Sequence, residues 1–140
     1  MIKKLAAECR EIVELAVNEG IIEADEDLAG ACAVASFFLR KKLLSYGYKT
    51  DFYVAKAQNH CWLRYGDKIL DITATQFGHK NKVVFKKGHI HEYYYTGYKV
   101  RNFKEEFAPW PEDQKPTKEK MECLNDLFYS RYASRTRKHN

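Results

Sequence analysis

No apolar run in this 140-residue chain approaches the roughly 20 residues that cross a bilayer as a helix. The longest, Ala31 to Phe38 with Leu39 behind it, is closed by Arg40-Lys41-Lys42. No secretory leader is expected either. Met1-Ile2-Lys3-Lys4 starts basic, but Glu8, Arg10 and Glu11 interrupt the apolar core that a leader needs. These absences read as a cytoplasmic protein with no membrane contact. Proline is scarce, and its three copies, Pro109, Pro111 and Pro116, fall in one stretch. Cysteine occurs four times, at Cys9, Cys32, Cys61 and Cys123, but never as C-x-x-C. That spacing fits neither a zinc ribbon nor a disulfide framework, so free thiols are expected. There are no internal repeats and no low-complexity segment beyond a basic end.

What is present points to a folded globular unit. A hydrophobic content of 45% with 14% aromatics supplies a core rather than a disordered chain, and the length suits one domain. The net charge is +5, but Arg131, Arg135, Arg137 and Lys138 supply +4 of it without an acid among residues 131–140. The rest of the chain is nearly neutral. The division read from this is a single domain over 1–134 and a basic C-terminal tail over 135–140.

Helices come first. Ile2, Leu5, Ala6, Cys9, Ile12, Val13 and Ala16 recur at three and four over residues 2–19, an amphipathic helix stopped by Gly20. An acidic connector follows (Glu23, Asp25, Glu26, Asp27), whose Asp25 or Asp27 is placed to cap the next helix. That helix is expected over 29–46 with Gly47 as its stop. It is apolar on nearly every side, as a central helix packed by several neighbours would be. From Tyr48 the period becomes two. Strands are read at 48–56, 60–65 and 68–74, the last two joined by a Gly66-Asp67 turn, and shorter ones at 82–86, 92–95 and 98–103. Residues 104–116 read as a loop and 117–134 as a last helix. Helices followed by an antiparallel meander make the fold class α+β.

Within this frame three residues stand out. A cysteine at a helix start is next to unpaired N–H groups and the positive end of the helix dipole, which favour a thiolate. Cys32 is so placed. If Gly66-Asp67 is a two-residue turn, Tyr65 faces Lys68, Leu63 faces Leu70, Trp62 faces Asp71 and His60 faces Thr73. His60, Trp62, Asp71 and Thr73 then share one face, with His60 and Asp71 as diagonal neighbours. Cys61 points to the other face with Leu63, Leu70 and Ile72. The parity selects Cys32 over Cys61 as nucleophile, with His60 as base and Asp71 as the group that holds the imidazole's tautomer. The N–H of Cys32 offers half of an oxyanion hole. Trp62 is placed to shield the His–Asp pair, and Thr73 and Gln76 to steady Asp71 or face a substrate. This chemistry needs neither cofactor nor metal.

Gly30-Ala31-Cys32, His60-Cys61-Trp62 and Asp71-Ile72-Thr73, in that order, resemble the transglutaminase-like branch of the papain-like fold. That family shows Gly-x-Cys at the start of a central helix, a His-Ala-Trp-like strand, and Asp-x-Thr at the end of the next strand. The resemblance covers roughly residues 28–77. It implies a central helix carrying Cys32, packed on an antiparallel sheet carrying His60 and Asp71. It also implies a peptidase, amidase, deamidase or acyl transferase working on a peptide or protein amide or isopeptide bond through a thioester. Two departures stand out. Ala33 replaces the aromatic that often follows the family's cysteine. No glutamine precedes Cys32, where papain keeps its oxyanion donor; the sole upstream amide is Asn18.

Three other readings compete. A catalytically inactive papain-like scaffold would keep the fold and bind a protein or nucleic-acid partner through the basic tail. A nucleic-acid module would use the tail with Tyr93-Tyr94-Tyr95 and Tyr98, although a sheet face and a solvated terminus explain these as well. A metal site would draw on Cys32, His60, Cys61, His79, His89 and His91, without the paired spacing that metals usually take. Hydrolysis is preferred over transfer because no second amine site is evident. No motif specifies a substrate or an oligomeric state.

Overall fold

The computed structural model describes residues 1–55, 59–88 and 95–138, with side chains through Tyr132 in the last helix. Helix α1 spans Ile2–Asn18 and buries Leu5, Ala6, Cys9, Ile12, Val13 and Ala16. Charged Arg10 is buried on the same helix. Helix α2 spans Cys32–Ser45 and buries Cys32, Ala33, Val34, Ala35, Ser36, Phe38, Leu39 and Leu43. It packs against α1 and the sheet together, so it has no solvent-facing apolar stripe to spare. Its first residue is Cys32, later than the expected start at 29. Gly30, at a φ of +96°, turns the chain sharply just before it, in a conformation that favours glycine.

Five antiparallel strands follow: β1 Asp51–Ala55, β2 His60–Tyr65, β3 Lys68–Asp71, β4 Val84–Lys87 and β5 Tyr98–Lys99. The sheet order is β4-β3-β2-β1-β5. The first four strands form the expected meander, but β5 joins beside β1, so the chain after β4 returns across the sheet. The β2–β3 hairpin pairs Tyr65 with Lys68 and Leu63 with Leu70, the register that a two-residue turn dictates. The strand expected over 68–74 ends at Asp71, and residues Ala74–Phe77 form a 3-10 turn. The expected strand at 92–95 lies outside the described residues except for Tyr95, which is not in a strand.

The alternation of side chains divides the core in two. Phe52, Val54, Cys61, Leu63 and Leu70 join the large cluster formed with α1 and α2. Ala55, Trp62 and Ile69, with Tyr53 and Tyr95, form a small cluster on the opposite face. Gly97 presses onto that second face. A Cβ there would stand 2.1 Å from the Val54 carbonyl oxygen and 2.9 Å from the Trp62 ring, so no larger residue fits without displacing the strand.

The segment expected to be a loop over 104–116 contains a short helix, α3, Phe103–Phe107, and a 3-10 turn, Glu112–Gln114. Asn102 starts α3 by accepting a hydrogen bond from the Glu105 N–H at 3.1 Å, and Pro109 prevents continuation. Helix α4, Lys118–Lys138, runs past the expected end at 134, so the backbone of 135–138 is helical. Its Arg131 and Tyr132 both bond Glu11 of α1. Arg131, the first of the four basic residues that concentrate the charge in 131–140, therefore ties two helices together. No helix among the described residues is long and apolar enough to cross a membrane.

Candidate active site

The expected residues converge where α2 begins and β2 and β3 end. Cys32 opens α2. Its N-cap position is Ala31, and no side chain caps the helix. Asp27, expected as a possible cap, instead accepts from the Ala29 N–H at 3.0 Å in the preceding turn. The N–H groups of the first turn are thus left without a competing side-chain oxygen, and their dipole acts on Cys32.

His60 opens β2 and is fully buried, as is Asp71 at the end of β3 (0% and 1% exposed). His60 Nε2 lies 2.7 Å from Asp71 Oδ2. That leaves Nδ1 as the ring nitrogen available to Cys32. The thiol Sγ sits 3.8 Å from the carbonyl oxygen of Asn59, the residue just before His60, at a φ of +50°. Ser36, one turn further along α2, donates to the Cys61 carbonyl at 3.3 Å. The start of α2 therefore tracks the start of β2 over two contacts.

The carboxylate of Asp71 is saturated. Oδ2 takes His60 and also the Tyr95 hydroxyl at 2.9 Å. Oδ1 accepts from the Thr73 N–H at 2.8 Å and from the Thr73 hydroxyl at 3.3 Å. Trp62 stacks on the imidazole with ring centroids 5.7 Å apart, and Phe77 meets it edge-on at 4.7 Å. These rings cover one side of the His–Asp pair, and Nδ1, which Asp71 does not use, has Gln76 Nε2 at 3.3 Å.

The electrostatics follow from these contacts. The Cys32 thiol is lowered to about 5 by a hydrogen bond from the Cys61 side chain, against the opposing effect of burial, and by its contact with His60. Burial pulls His60 down, but the charge and hydrogen bond of Asp71, with Cys32 beyond, raise it to about 9. Burial pushes Asp71 up, and the imidazolium, with the Thr73 and Tyr95 donors, more than offsets it, so its carboxyl lies below the ordinary value. Thiolate and imidazolium are the forms these shifts favour near neutrality.

Sequence reasoning missed three contributors. Cys61 is indeed on the helix-facing side of the sheet, away from His60, but α2 lies on that side as well. Its thiol therefore touches Cys32 and is itself raised, first by burial and then by Cys32. Tyr95 was not legible because the return across the sheet after β4 brings it in. Arg10 donates to the Ile72 carbonyl at 2.8 Å and to Thr75 Oγ1 at 2.9 Å, and Thr75 in turn donates to the Asp27 carbonyl at 3.0 Å. This chain links α1, the turn before α2 and the segment after Asp71. The available signal was positional: residue 10 lies three or four from Ala6 and Val13 on the apolar stripe, where a charged side chain has to find buried acceptors.

The competing readings meet mixed ground. Among the described residues no group of three or more His, Cys, Asp or Glu is arranged to hold a metal; His89 and His91 lie outside them. Tyr93 and Tyr94 also lie outside. Tyr95 is engaged by Asp71 and Tyr98 donates to Glu106 at 2.7 Å, so these two rings carry other contacts than a base-stacking row would need. No protein-family model, curated protein or solved structure matches this chain.

Proposed function

We propose that this protein is a cysteine-dependent hydrolase or acyl transferase acting on an amide, peptide or isopeptide bond, with Cys32 as nucleophile, His60 as base and Asp71 as orienting acid. The helix-start cysteine packed beside a His–carboxylate strand pair supports placing it with the transglutaminase-like, papain-like enzymes that its motifs resemble. The single observation that carries the reading is the buried 2.7 Å contact between His60 Nε2 and Asp71 Oδ2, beside a Cys32 thiol that His60 helps to hold below its ordinary value.

The chemistry is as follows. The Cys32 thiolate attacks the amide carbonyl, and the oxyanion gathers at the open N–H groups of α2. His60 Nδ1–H protonates the leaving amine as the C–N bond breaks, forming a thioester. His60 then takes a proton from water, which attacks the thioester and returns Cys32. An amine in place of water would give transfer. Asp71 holds the proton on Nε2 in the neutral ring and stabilises the cation when it forms.

The first test is alkylation of Cys32 by iodoacetamide across pH, located by peptide mass mapping, in the wild type and in His60→Ala. Wild-type Cys32 should already react fast at about pH 6, and the substitution should slow it at that pH by roughly tenfold or more. An ordinary thiol profile in both proteins would reject the reading and favour a scaffold. If the first result holds, amide turnover should show a bell with limbs near 5 and 9, where Cys32 and His60 titrate.

A further inference from the structure

Gln76 lies half-buried in the 3-10 turn after Asp71. Its Nε2 stands 3.3 Å from His60 Nδ1 and 3.3 Å from Thr73 Oγ1. The orientation of this amide follows from what lies behind it. Asp71 is acceptor-only when ionised, so the Thr73 hydroxyl must donate to Oδ1. Thr73 Oγ1 is then an acceptor towards Gln76, which turns the amide nitrogen, not its oxygen, inward. One N–H of that nitrogen goes to Thr73 and the other points at His60 Nδ1. On the far side of the ring Asp71 holds the proton on Nε2, so Nδ1 in the neutral ring is a lone pair, and Gln76 donates to it.

Cys32 needs that same lone pair. Once Nδ1 carries the thiol's proton, it is a donor facing a donor, and the Gln76 N–H has to leave. We propose that Gln76 is a positioning residue that restrains the base: whenever the ring is neutral its amide N–H occupies the Nδ1 lone pair of His60 and competes with Cys32 for it, so that forming the thiolate–imidazolium pair requires the amide to swing aside. This inference rests on the reading of His60 as the base and adds a control on it. The turn suits the motion. Gly78 follows immediately at a φ of +86°, and the amide belongs to one of the few side chains at the site that is not fully buried.

The other titratable groups around the imidazole are Asp71 at the end of β3, Cys32 on α2, Cys61 on β2 and Tyr95. Arg10 is turned away to the Ile72 carbonyl and Thr75. None of these is altered by changing Gln76, and Cys32 is removed from the comparison by working in Cys32→Ala. The experiment follows the His60 ring nitrogens by NMR through a pH titration of the full chain carrying Cys32→Ala, alone and with Gln76→Ala or Gln76→Glu. A neutral hydrogen bond to Nδ1 stabilises the unprotonated ring, so losing it should raise the His60 titration point by roughly half to one pH unit. Gln76→Glu, which offers Nδ1–H an acceptor, should raise it further. An unchanged titration point in both variants, or a fall in Gln76→Ala, would overturn the inference. Because the Cys32 thiol takes no part in this titration, that outcome leaves the alkylation test of the catalytic reading untouched, and failure of the alkylation test leaves this titration interpretable.

Discussion

Cys9 and Cys32 are both buried thiols on helices (0% and 5% exposed), yet their surroundings push them in opposite directions. Cys9 lies in the middle of α1, where every N–H is spent on the helix ladder and the neighbours are aliphatic. Burial raises its thiol far above the ordinary value, and the charge of Lys42 opposes this only weakly. Cys32 opens its helix, so donors are unspent around it, and Cys61 and His60 add side-chain partners. Burial is common to both; what differs is the supply of donors and positive charge. Cys61 sharpens the point. It sits against Cys32 in the same environment and is nevertheless raised, because one negative charge already occupies the site.

The comparison breaks most completely at Asp71. In Asp71→Asn the two Thr73 donors fix the side-chain oxygen at the Oδ1 position, so the new NH2 faces His60 Nε2. That nitrogen must then accept, its proton moves to Nδ1, and the ring can no longer take one from Cys32. With the charge and the tautomer both lost, Cys32 should behave more like Cys9. Its alkylation rate at about pH 6 should fall by roughly 100-fold or more. Retention of the wild-type rate would assign the thiolate's stability to the helix start and Cys61 alone.

The site was largely readable because its geometry depends on parity. A two-residue turn at Gly66-Asp67 fixes the face of every residue in the hairpin, so His60 and Asp71 meet wherever that hairpin forms. The helix carrying Cys32 was legible for a similar reason, since an apolar run closed by three basic residues has few other places to go. What escaped was long-range. Nothing near Tyr95 in sequence says that the chain recrosses the sheet after β4, because β5 has only two residues and its pairing with β1 is a tertiary choice. The short helix α3 was hidden by the prolines that follow it, which read as loop although they only mark where the helix ends. Arg10 was hidden by its charge, which suggests solvent until its buried acceptors are seen.

Cys9→Ser tests the other side of the comparison. A hydroxyl at that position enters an aliphatic core cluster, and the substitution should cost about 1–3 kcal/mol of stability in a denaturant titration. Alkylation of Cys32 should not change, because the two thiols lie on different helices and share no hydrogen bond. A parallel change in Cys32 reactivity would mean that the packing between α1 and α2 helps to set the position of the thiolate.

The smallest effect is expected at Tyr95, and its sign is informative. The Tyr95 hydroxyl and His60 Nε2 share one oxygen of Asp71, at 2.9 and 2.7 Å. A second donor on the same oxygen withdraws charge from it, so Tyr95 weakens the hold of Asp71 on the imidazolium even while it helps to keep the carboxylate ionised. In Tyr95→Phe the carboxylate still accepts from Thr73 twice and from His60, the aromatic wall against Trp62 and His60 is kept, and Oδ2 belongs to His60 alone. The upper limb expected for the proposed activity, where His60 titrates at about 9, should therefore rise by a few tenths of a pH unit, less than the loss of one hydrogen bond would give. Alkylation of Cys32 near neutrality should stay within about twofold, since the thiolate is already formed there. A fall of the upper limb would carry the opposite message. It would mean that the hydroxyl acts chiefly by keeping water from the His–Asp pair, and that the dry face of the imidazole, rather than the sharing of Oδ2, sets how firmly His60 holds its second proton.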